Sequence, residues 1–303
     1  MVLATGIFQD KSYKTYQLGI KAFASLGLIS PLLLIINAPH GRFSVDGSSS
    51  KTWISKVWGA LSIDGTLAWV IMELPSPLSL LYAFSQQVPL TTLRPVSLTP
   101  HTLLPVLFAG HYLNRAIISP LRTTSRSKSH IVVLLAAIIF NLLNGSVMGT
   151  WLGAGARTGS SNWTNVPTRY WIGLGMFILG LWGNIWHDEV LLNLRKHNPG
   201  EKGAKPRYAI PYGGLYTLVS FPNYLCEWFE WAGFSIAAGS IMTLLQENLS
   251  LGCRLGVFLT PPVLFTLVEV ALMLPRALRG HEWYHEKFGD YPKERKAVIP
   301  FVI

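Results

Sequence analysis

Two histidines near the C-terminal end have the spacing of a zinc site. The segment RGHEWYHEKFGDYP, residues 279–292, contains His281-Glu-x-x-His285. On a helix this pattern can place both imidazoles on one zinc ion, with the glutamate as general base. A catalytic zinc site also needs a third protein ligand and an open coordination position. After His285 the candidates are Asp290 and Glu294, in a short and strongly basic tail. We therefore expect no metal ion and no metalloprotease activity.

A second set of polar groups lies within an apolar stretch. In GNIWHDEVLLNLRK, residues 183–196, Asn184, Asp188 and Arg195 are separated by four and seven residues. At about 100° per residue, these three side chains fall within roughly 40° of one another on one helix face. Ionisable groups are costly to bury in a membrane helix, so the stripe indicates a binding site.

A third set follows in FPNYLCEWFEWAG, residues 221–233. Asn223, Glu227 and Glu230 stand at positions i, i+4 and i+7, again on one helix face. Two such polar stripes can converge, and their carboxylates, asparagines and arginine favour a ligand cavity. The alternative is a set of hydrogen bonds that only holds the helices together.

Two further candidates belong to the N-terminal half. Glu73 ends an apolar stretch in AWVIMELPSP, where Pro75 and Pro77 are expected to stop the helix, and Tyr112 lies in FAGHYLNRAI. A buried carboxylic acid that keeps its proton, beside a tyrosine, could polarise a ketone by donating hydrogen bonds. The alternatives are a glutamate in the lipid headgroup layer and an interfacial tyrosine.

The elements that must position these groups are membrane helices. Half of the 303 residues are hydrophobic and 13% are charged, against roughly a quarter charged in a typical soluble domain. We predict an all-α integral membrane protein, a bundle of about seven transmembrane helices that forms a single domain over residues 1–303. Each apolar stretch has about the length of 20 residues that a bilayer requires. The seven stretches are predicted at about 17–38, 53–74, 101–119, 130–151, 169–191, 213–245 and 254–275.

The basic residues predict the topology. They are concentrated after the third, fifth and seventh stretches, and the alternate loops carry few. The positive-inside rule places those loops and the C-terminal tail in the cytosol, and the N-terminus on the opposite side. This topology accounts for the net charge of +10. We predict no nucleic-acid partner, since no basic patch is interleaved with aromatics on a soluble surface. We also predict no obligate protein partner.

Six segments, in order along the chain, resemble the steroid 5α-reductase family. The C-terminal segment is shared with trans-enoyl-CoA reductases and, more weakly, with membrane methyltransferases, so by itself it indicates the superfamily. ELPS together with HYLNR indicates the steroid branch. The segments are ELPS (73–76), HYLNR (111–115), NGSVMG (144–149), GNIWHDEVLLNLRK (183–196), YAIPYGGLYTLVSFPNYLCEWFEWAGF (208–234) and WYHEKFGDYPKERKAVIPF (283–301).

The resemblance implies a seven-helix reductase of the endoplasmic reticulum membrane, with a steroid or sterol-like lipid as substrate. Such an enzyme takes hydride from NADPH and adds it to the carbon–carbon double bond of a 3-oxo-Δ4 steroid. By the resemblance, Glu73 and Tyr112 hold the 3-keto oxygen, and most of the cofactor site lies in residues 170–303. The implied cofactor-binding residues are Asn184, Asp188, Arg195, Tyr208, Asn223, Glu227, Arg276, Tyr284 and Arg295.

The sequence departs from the family pattern at one position. Ala209 stands where family members carry arginine or lysine after the tyrosine that matches Tyr208. If that basic residue contacts the 2′-phosphate, a preference for NADPH over NADH must come from Lys205, Arg207 or Arg126.

Three other functions remain open. One is a related membrane enoyl reductase acting on another lipid enone or an enoyl-CoA. Another is a membrane methyltransferase that uses S-adenosylmethionine, which would not need Glu73 and Tyr112 at a ketone. The third is a non-enzymatic channel or scaffold, in which the polar stripes would bind no ligand.

Overall fold

The chain divides into two compact units. The computed structural model describes residues 10–35, 60–88, 98–123, 126–158, 162–197, 208–240 and 256–303. Unit 1 comprises Met1–Leu26, Asn37–Pro167 and Asn248–Pro261; unit 2 comprises Gly27–Ile36, Thr168–Glu247 and Pro262–Ile303.

Helices dominate both units, which confirms the predicted all-α membrane fold. In unit 1 the helices are α1 (Asp10–Gly27), α3 (Gly65–Glu73), α4 (Pro75–Gln87), α5 (Pro100–Leu113), α6 (Ser119–Arg122) and α7 (Ile131–Thr158), and a π-helical turn, Asn114–Ile118, joins α5 to α6. In unit 2 they are α2 (Ser30–Leu33), α8 (Thr168–His197), α9 (Pro222–Ala237) and α10 (Pro261–Lys287). The strands in the described residues are two-residue segments, β1 (Ser62–Ile63) and β2 (Ser129–His130), paired antiparallel.

Four helical stretches in the described residues are long and apolar enough to cross a membrane. Together with the helical fold, they make this chain a multi-pass membrane protein. The four stretches are Tyr13–Leu33, Gly65–Gln87, Ile131–Arg157 and Pro261–Lys287.

The prediction that Pro75 and Pro77 stop the second helix is confirmed for α3, which ends at Glu73, but a second helix follows at once. Leu74 keeps helical dihedral angles (φ −58°, ψ −33°), so α4 begins directly after α3. The Leu74 amide bonds to the carbonyl four residues earlier (3.1 Å), and its carbonyl accepts the amide four residues later (3.3 Å). Proline is tolerated here because Pro75 is the first residue of α4, where a helix needs no N–H group. Glu73 consequently lies within a 23-residue apolar stretch and not at its end.

Two predicted boundaries in unit 2 also shift. The predicted stretch 213–245 is helical only in α9 among the described residues, since Gly213 and Gly214 adopt positive φ angles (100° and 51°) and a 3₁₀ turn precedes the helix. The predicted stretch 254–275 instead extends, as α10, to Lys287. Both histidines of the His-Glu-x-x-His segment are therefore helical.

Glycines allow α7 and α4 to pack closely in unit 1. Gly145, Gly149 and Gly153 recur every fourth residue, on one face of α7. A Cβ on Gly145 would overlap the Ser76 carbonyl, and one on Gly149 would overlap the Leu80 carbonyl. Small residues at this spacing let membrane helices approach to backbone contact. The polar residues of the same helix are thereby brought against the backbone of α4.

The equivalent contact in unit 2 joins α8 to α9. A Cβ on Gly180 would lie 2.5 Å from the Glu230 amide nitrogen, and one on Gly233 would lie 2.6 Å from the Phe177 nitrogen. The polar stripes predicted on these two helices therefore lie on directly packed elements.

The C-terminal segment is bound by the chain just before α9. The amides of Ser220 and Phe221 donate to the carbonyls of Lys296 and Ala297 (2.8 and 3.0 Å), and the Lys296 amide donates to the Leu218 carbonyl (2.9 Å). This short parallel pairing fixes the tail of unit 2 to the start of α9.

Candidate functional site

Glu73 and Tyr112, the predicted ketone-binding residues, are both buried in unit 1. Their exposed fractions are 8% and 3%. The Glu73 Oε1 atom accepts a hydrogen bond from Arg115 Nε (3.3 Å), which makes an ion pair. A tyrosine at the membrane interface would be more exposed than Tyr112 is. The ion pair gives the carboxyl group of Glu73 a partner within the protein.

Arg115 was not among the predicted site residues, although it ends the HYLNR segment. Its guanidinium also lies 5.3 Å from the centroid of the Trp69 ring, and its carbonyl accepts from the Trp69 indole N–H (2.9 Å). Arg126 lies over the same indole at 4.3 Å. Trp69 thus has cation–π contacts with two arginines, each of which favours a fixed guanidinium position.

Two asparagines of α7, which sequence reasoning missed, hold the Tyr112 hydroxyl. The hydroxyl donates to Asn141 Oδ1 (3.3 Å) and accepts from Asn144 Nδ2 (3.3 Å). Asn141 Nδ2 also donates to the carbonyl of Met72 (2.6 Å), the residue before Glu73. One amide therefore ties Tyr112 to the backbone beside Glu73. The signal was available in the sequence, because two asparagines one turn apart in an apolar helix need polar partners.

The two polar stripes of unit 2 converge as predicted. Asn184 Nδ2 donates to Glu227 Oε2 (3.2 Å) and to the Asn223 carbonyl (3.1 Å). Asn223 Nδ2 donates to Asp188 Oδ1 (3.0 Å). Glu230 is fully buried one turn further along α9. These contacts join α8 and α9 into one polar cluster, which we call the α8–α9 cluster: Asn184, Asp188, Asn223 and Glu227.

Two predicted cofactor residues are more exposed. The Arg195 side chain is exposed near the end of α8. Tyr208 is 39% exposed, with its ring 4.9 Å from that of Trp283. An exposed arginine is available to an anionic ligand, whereas a ligand must reach Tyr208 at the protein surface.

Arg295 and Tyr284 meet around a third side chain, Tyr291. The Arg295 guanidinium is 2% exposed, lies 5.1 Å from the Tyr291 ring and donates to the Pro211 carbonyl (3.0 Å). The Tyr284 and Tyr291 rings are stacked, with centroids 5.1 Å apart and planes 15° apart. Arg276 is half-buried on α10, eight residues before Tyr284.

One of the two His-Glu-x-x-His histidines, His281, is hydrogen-bonded within the protein. Their rings are 4.6 Å apart, but His281 Nδ1 is hydrogen-bonded to Ser220 Oγ (2.6 Å), which also bonds to the Tyr291 hydroxyl (2.7 Å). In the described ranges, no three His, Cys, Asp or Glu side chains are grouped to hold a metal ion. His281 therefore joins α10 to the segment before α9. The lack of bound zinc stays a prediction.

His187 is a further buried residue that the sequence reasoning missed. Its Nε2 accepts from the Leu215 amide (3.2 Å), so its proton is on Nδ1 and is donated to the Gly183 carbonyl (2.6 Å). The Tyr216 hydroxyl donates to the His187 carbonyl (3.2 Å). The 3₁₀ turn before α9 is thereby fixed to α8.

The polar groups of unit 2 fit a dinucleotide. Asn223 Oδ1 and Arg295 Nε are buried and have no hydrogen-bond partner among the described residues. A dinucleotide offers both hydroxyl donors and phosphate acceptors, and Arg195 adds an exposed cation. Lys205 and Arg207, candidates for the 2′-phosphate, lie outside the described residues.

Comparison with known proteins gives one consistent result. The family profile described as 3-oxo-5-alpha-steroid 4-dehydrogenase matches residues 127–250 and 251–303. The 3-oxo-5-alpha-steroid 4-dehydrogenase 1 of Rattus norvegicus is 32% identical over 293 residues, covering 95% of this chain and 93% of its own. A steroid 5-alpha-reductase of Solanum lycopersicum is 34% identical over 275 residues (89% and 90%). An uncharacterised Schizosaccharomyces pombe protein is 34% identical over 294 residues (91% and 94%).

Proposed function

Since this chain belongs to the steroid 5α-reductase family, we propose that it reduces the Δ4 double bond of a 3-oxo-Δ4 steroid with NADPH. Family membership makes it an oxidoreductase that acts on CH–CH groups of steroids. The hydride donor, the position of the double bond and the 5α outcome are the proposed part.

The observation that carries the proposal is the buried Tyr112 hydroxyl, which Asn141 links to the backbone next to Glu73. Adding hydride to carbon 5 of the enone moves negative charge onto the 3-oxygen, so a preorganised donor at that oxygen stabilises the enolate. Tyr112 is such a donor, because Asn141 and Asn144 hold its hydroxyl by hydrogen bonds in the protein interior.

Glu73 is the second proposed ketone-binding group. To donate to the 3-keto oxygen it must carry a proton, whereas its contact with Arg115 is the one an ionised carboxylate makes. We propose that Glu73 donates as the neutral acid when the steroid is bound. The competing role, counter-ion of Arg115, makes an opposite prediction for the glutamine variant.

The cofactor is assigned to unit 2. When bound, NADPH supplies the hydride. We propose that the α8–α9 cluster binds polar groups of the dinucleotide, and that Arg195 and Arg295 hold its phosphates. Tyr208, Arg276 and Tyr284 complete the assigned set. Because Ala209 provides no cation, recognition of the 2′-phosphate is assigned to Lys205, Arg207 or Arg126.

We also propose the cellular setting. The protein is a multi-pass protein of the endoplasmic reticulum membrane, with the C-terminal tail in the cytosol, as the Lys/Arg excess of the tail indicates. Residues 1–303 act as a single membrane-embedded enzyme domain, with most cofactor contacts from residues 170–303.

The direct test is a panel of 3-oxo-Δ4 steroids incubated with purified protein and NADPH. A gain of two hydrogens by mass spectrometry is the expected result, with NADH as the comparison. If two hydrogens are gained only by an enoyl-CoA or another lipid enone, the protein is instead a related enoyl reductase.

A binding measurement separates the remaining classes. NADPH should raise the melting temperature of the purified protein, because a ligand that binds only the folded state stabilises it. Stabilisation by S-adenosylmethionine would indicate a methyltransferase. No stabilisation by either would favour a channel or scaffold.

A further inference from the structure

Asn144 is a fully buried amide with one atom that has no partner. Its exposed fraction is 0%. The Nδ2 group donates to the Tyr112 hydroxyl (3.3 Å) and to Ser76 Oγ (3.2 Å). The Oδ1 atom is buried and has no hydrogen-bond partner among the described residues. A buried polar atom without a partner destabilises the folded state, so it indicates a ligand that donates a hydrogen bond.

The position of Asn144 is tightly constrained. It immediately precedes Gly145, whose lack of a side chain lets α7 meet the Ser76 carbonyl of α4. Its amide is further held by two buried hydroxyl groups. The amide oxygen is thus a fixed acceptor in a polar site, and buried waters bind where two to four polar partners are available.

We propose that Asn144 holds a water molecule that delivers the proton to carbon 4 of the substrate. This inference rests on the proposed function, in which Tyr112 holds the 3-keto oxygen. Carbon 4 is bonded to the carbon that carries this oxygen. The amide that contacts the Tyr112 hydroxyl therefore places its water beside the carbon that must be protonated. Asn144 is a positioning residue, because it acts through the water.

The step balances without a further reactant. Hydride addition forms the C5–H bond, moves the C4=C5 pair to C3=C4 and moves the carbonyl pair onto the 3-oxygen. Carbon 4 then takes a proton from the water, and the carbonyl reforms as the oxygen pair returns. The hydroxide that remains takes a proton from solvent. The dinucleotide is oxidised, and the enone is reduced by two electrons and two hydrogens.

A water held on one side of carbon 4 predicts protonation from one face. Wild-type protein turning over a 3-oxo-Δ4 steroid in D₂O should give one epimer at carbon 4, read by NMR of the product. Short reaction times, and a control with preformed product in D₂O, exclude later exchange next to the ketone.

The variant Asn144→Ala removes the acceptor. We expect kcat to fall roughly a hundredfold, the low end for loss of a positioned proton donor, and the product to become a mixture of epimers. Asn144→Ser, a milder change for folding, should also give a mixture. Asn144→Asp keeps an acceptor at the same atom and should keep the single epimer.

Asn141→Ala is the matched control. It removes the other amide contact of Tyr112 from the same helix, so it should slow the reaction and leave the single epimer unchanged. A merely structural role for Asn144 would make the two alanine variants behave alike in facial selectivity.

Two failures can be told apart in the same assay. If wild-type protein forms no saturated ketone, the proposed function fails. If it forms the ketone as a mixture of epimers, or if Asn144→Ala and Asn144→Ser keep a single epimer, the assignment of Asn144 is overturned and the reductase function stands.

Discussion

The hydroxyl of Tyr112 has one proton to donate, and in the structure Asn141 accepts it at 3.3 Å. This distance is long for a hydroxyl donor, so a ketone oxygen can compete for the same proton. Tyr112→Phe should therefore lower kcat about a hundredfold, the typical cost of one oxyanion donor, about 3 kcal/mol. NADPH binding, measured by thermal shift, should be unchanged. A phenylalanine variant with wild-type kcat would exclude Tyr112 as the ketone donor.

Glu73 allows a sharper test, because its two possible roles differ in the glutamine variant. Glu73→Gln keeps a donor of similar shape and should retain measurable turnover, whereas Glu73→Ala should lose about a hundredfold. If the side chain serves only as the counter-ion of Arg115, glutamine should be as damaging as alanine, since neither carries the negative charge that faces the guanidinium. The double variant Glu73→Ala, Tyr112→Phe tests whether both side chains act on one oxygen. In that case its fold decrease in kcat should be smaller than the product of the two single decreases.

At this scale the sequence predicted the burial of Glu73 and Tyr112 better than it predicted the residues that contact them. Burial of Glu73 and Tyr112 followed from their apolar surroundings. Arg115, Asn141 and Asn144 could not be paired with them from spacing, because their contacts cross between helices separated by about 30 to 70 residues.

One face of α8 bears three of the predicted cofactor-binding residues. Buried Asn184 and half-buried Asp188 are bonded to α9, while Arg195 is exposed further along the same helix. Arg195→Ala should raise the KM for NADPH more than the KM for the steroid, because an arginine–phosphate contact is a strong charge-assisted one. Steady-state kinetics with each substrate varied in turn provides the measurement. An equal rise in both constants would indicate a structural role.

The two histidines of α10 should respond differently to substitution. His281 bonds to Ser220, whereas His285 is exposed one turn later. We expect His281→Ala to lower the melting temperature, consistent with a loss of about 1 kcal/mol for one intramolecular hydrogen bond. His285→Ala, the matched control, should keep most activity and stability. Elemental analysis should find substoichiometric zinc; stoichiometric zinc that either substitution removes would restore the metal hypothesis.

The sequence predicted the faces of the helices better than it predicted their ends. Periodicity correctly predicted that the stripes of α8 and α9 converge, because one face of a helix can be read from spacing alone. The local sequence at Pro75 indicated the end of α3 but not that α4 begins there directly. The close packing of α7 against α4 at Gly145 and Gly149 joins segments distant in sequence and could not be predicted from local sequence.

For the whole molecule, the apolar composition was sufficient to predict a helical membrane protein. The seven stretches could not be bounded equally well, because hydropathy does not register a 3₁₀ turn held by His187 or a tail paired with residues 218–221. Such contacts join distant parts of the chain and are not encoded in local hydrophobicity. They also explain why the tail, although basic, is ordered.

The charge of the C-terminal tail predicts the side of the membrane on which it lies. Lys293 and Lys296 are exposed, and the tail and the 192–212 segment carry a Lys/Arg excess. The positive-inside rule therefore predicts that both face the cytosol. In sealed microsomes, external trypsin should cleave the 192–212 segment without detergent. The paired tail should be cut more slowly, because proteolysis requires local opening of the backbone. A control cysteine substituted at exposed Lys293 should react with a membrane-impermeant maleimide before lysis. Labelling that appears only after detergent would place the tail in the lumen and contradict the odd number of spans.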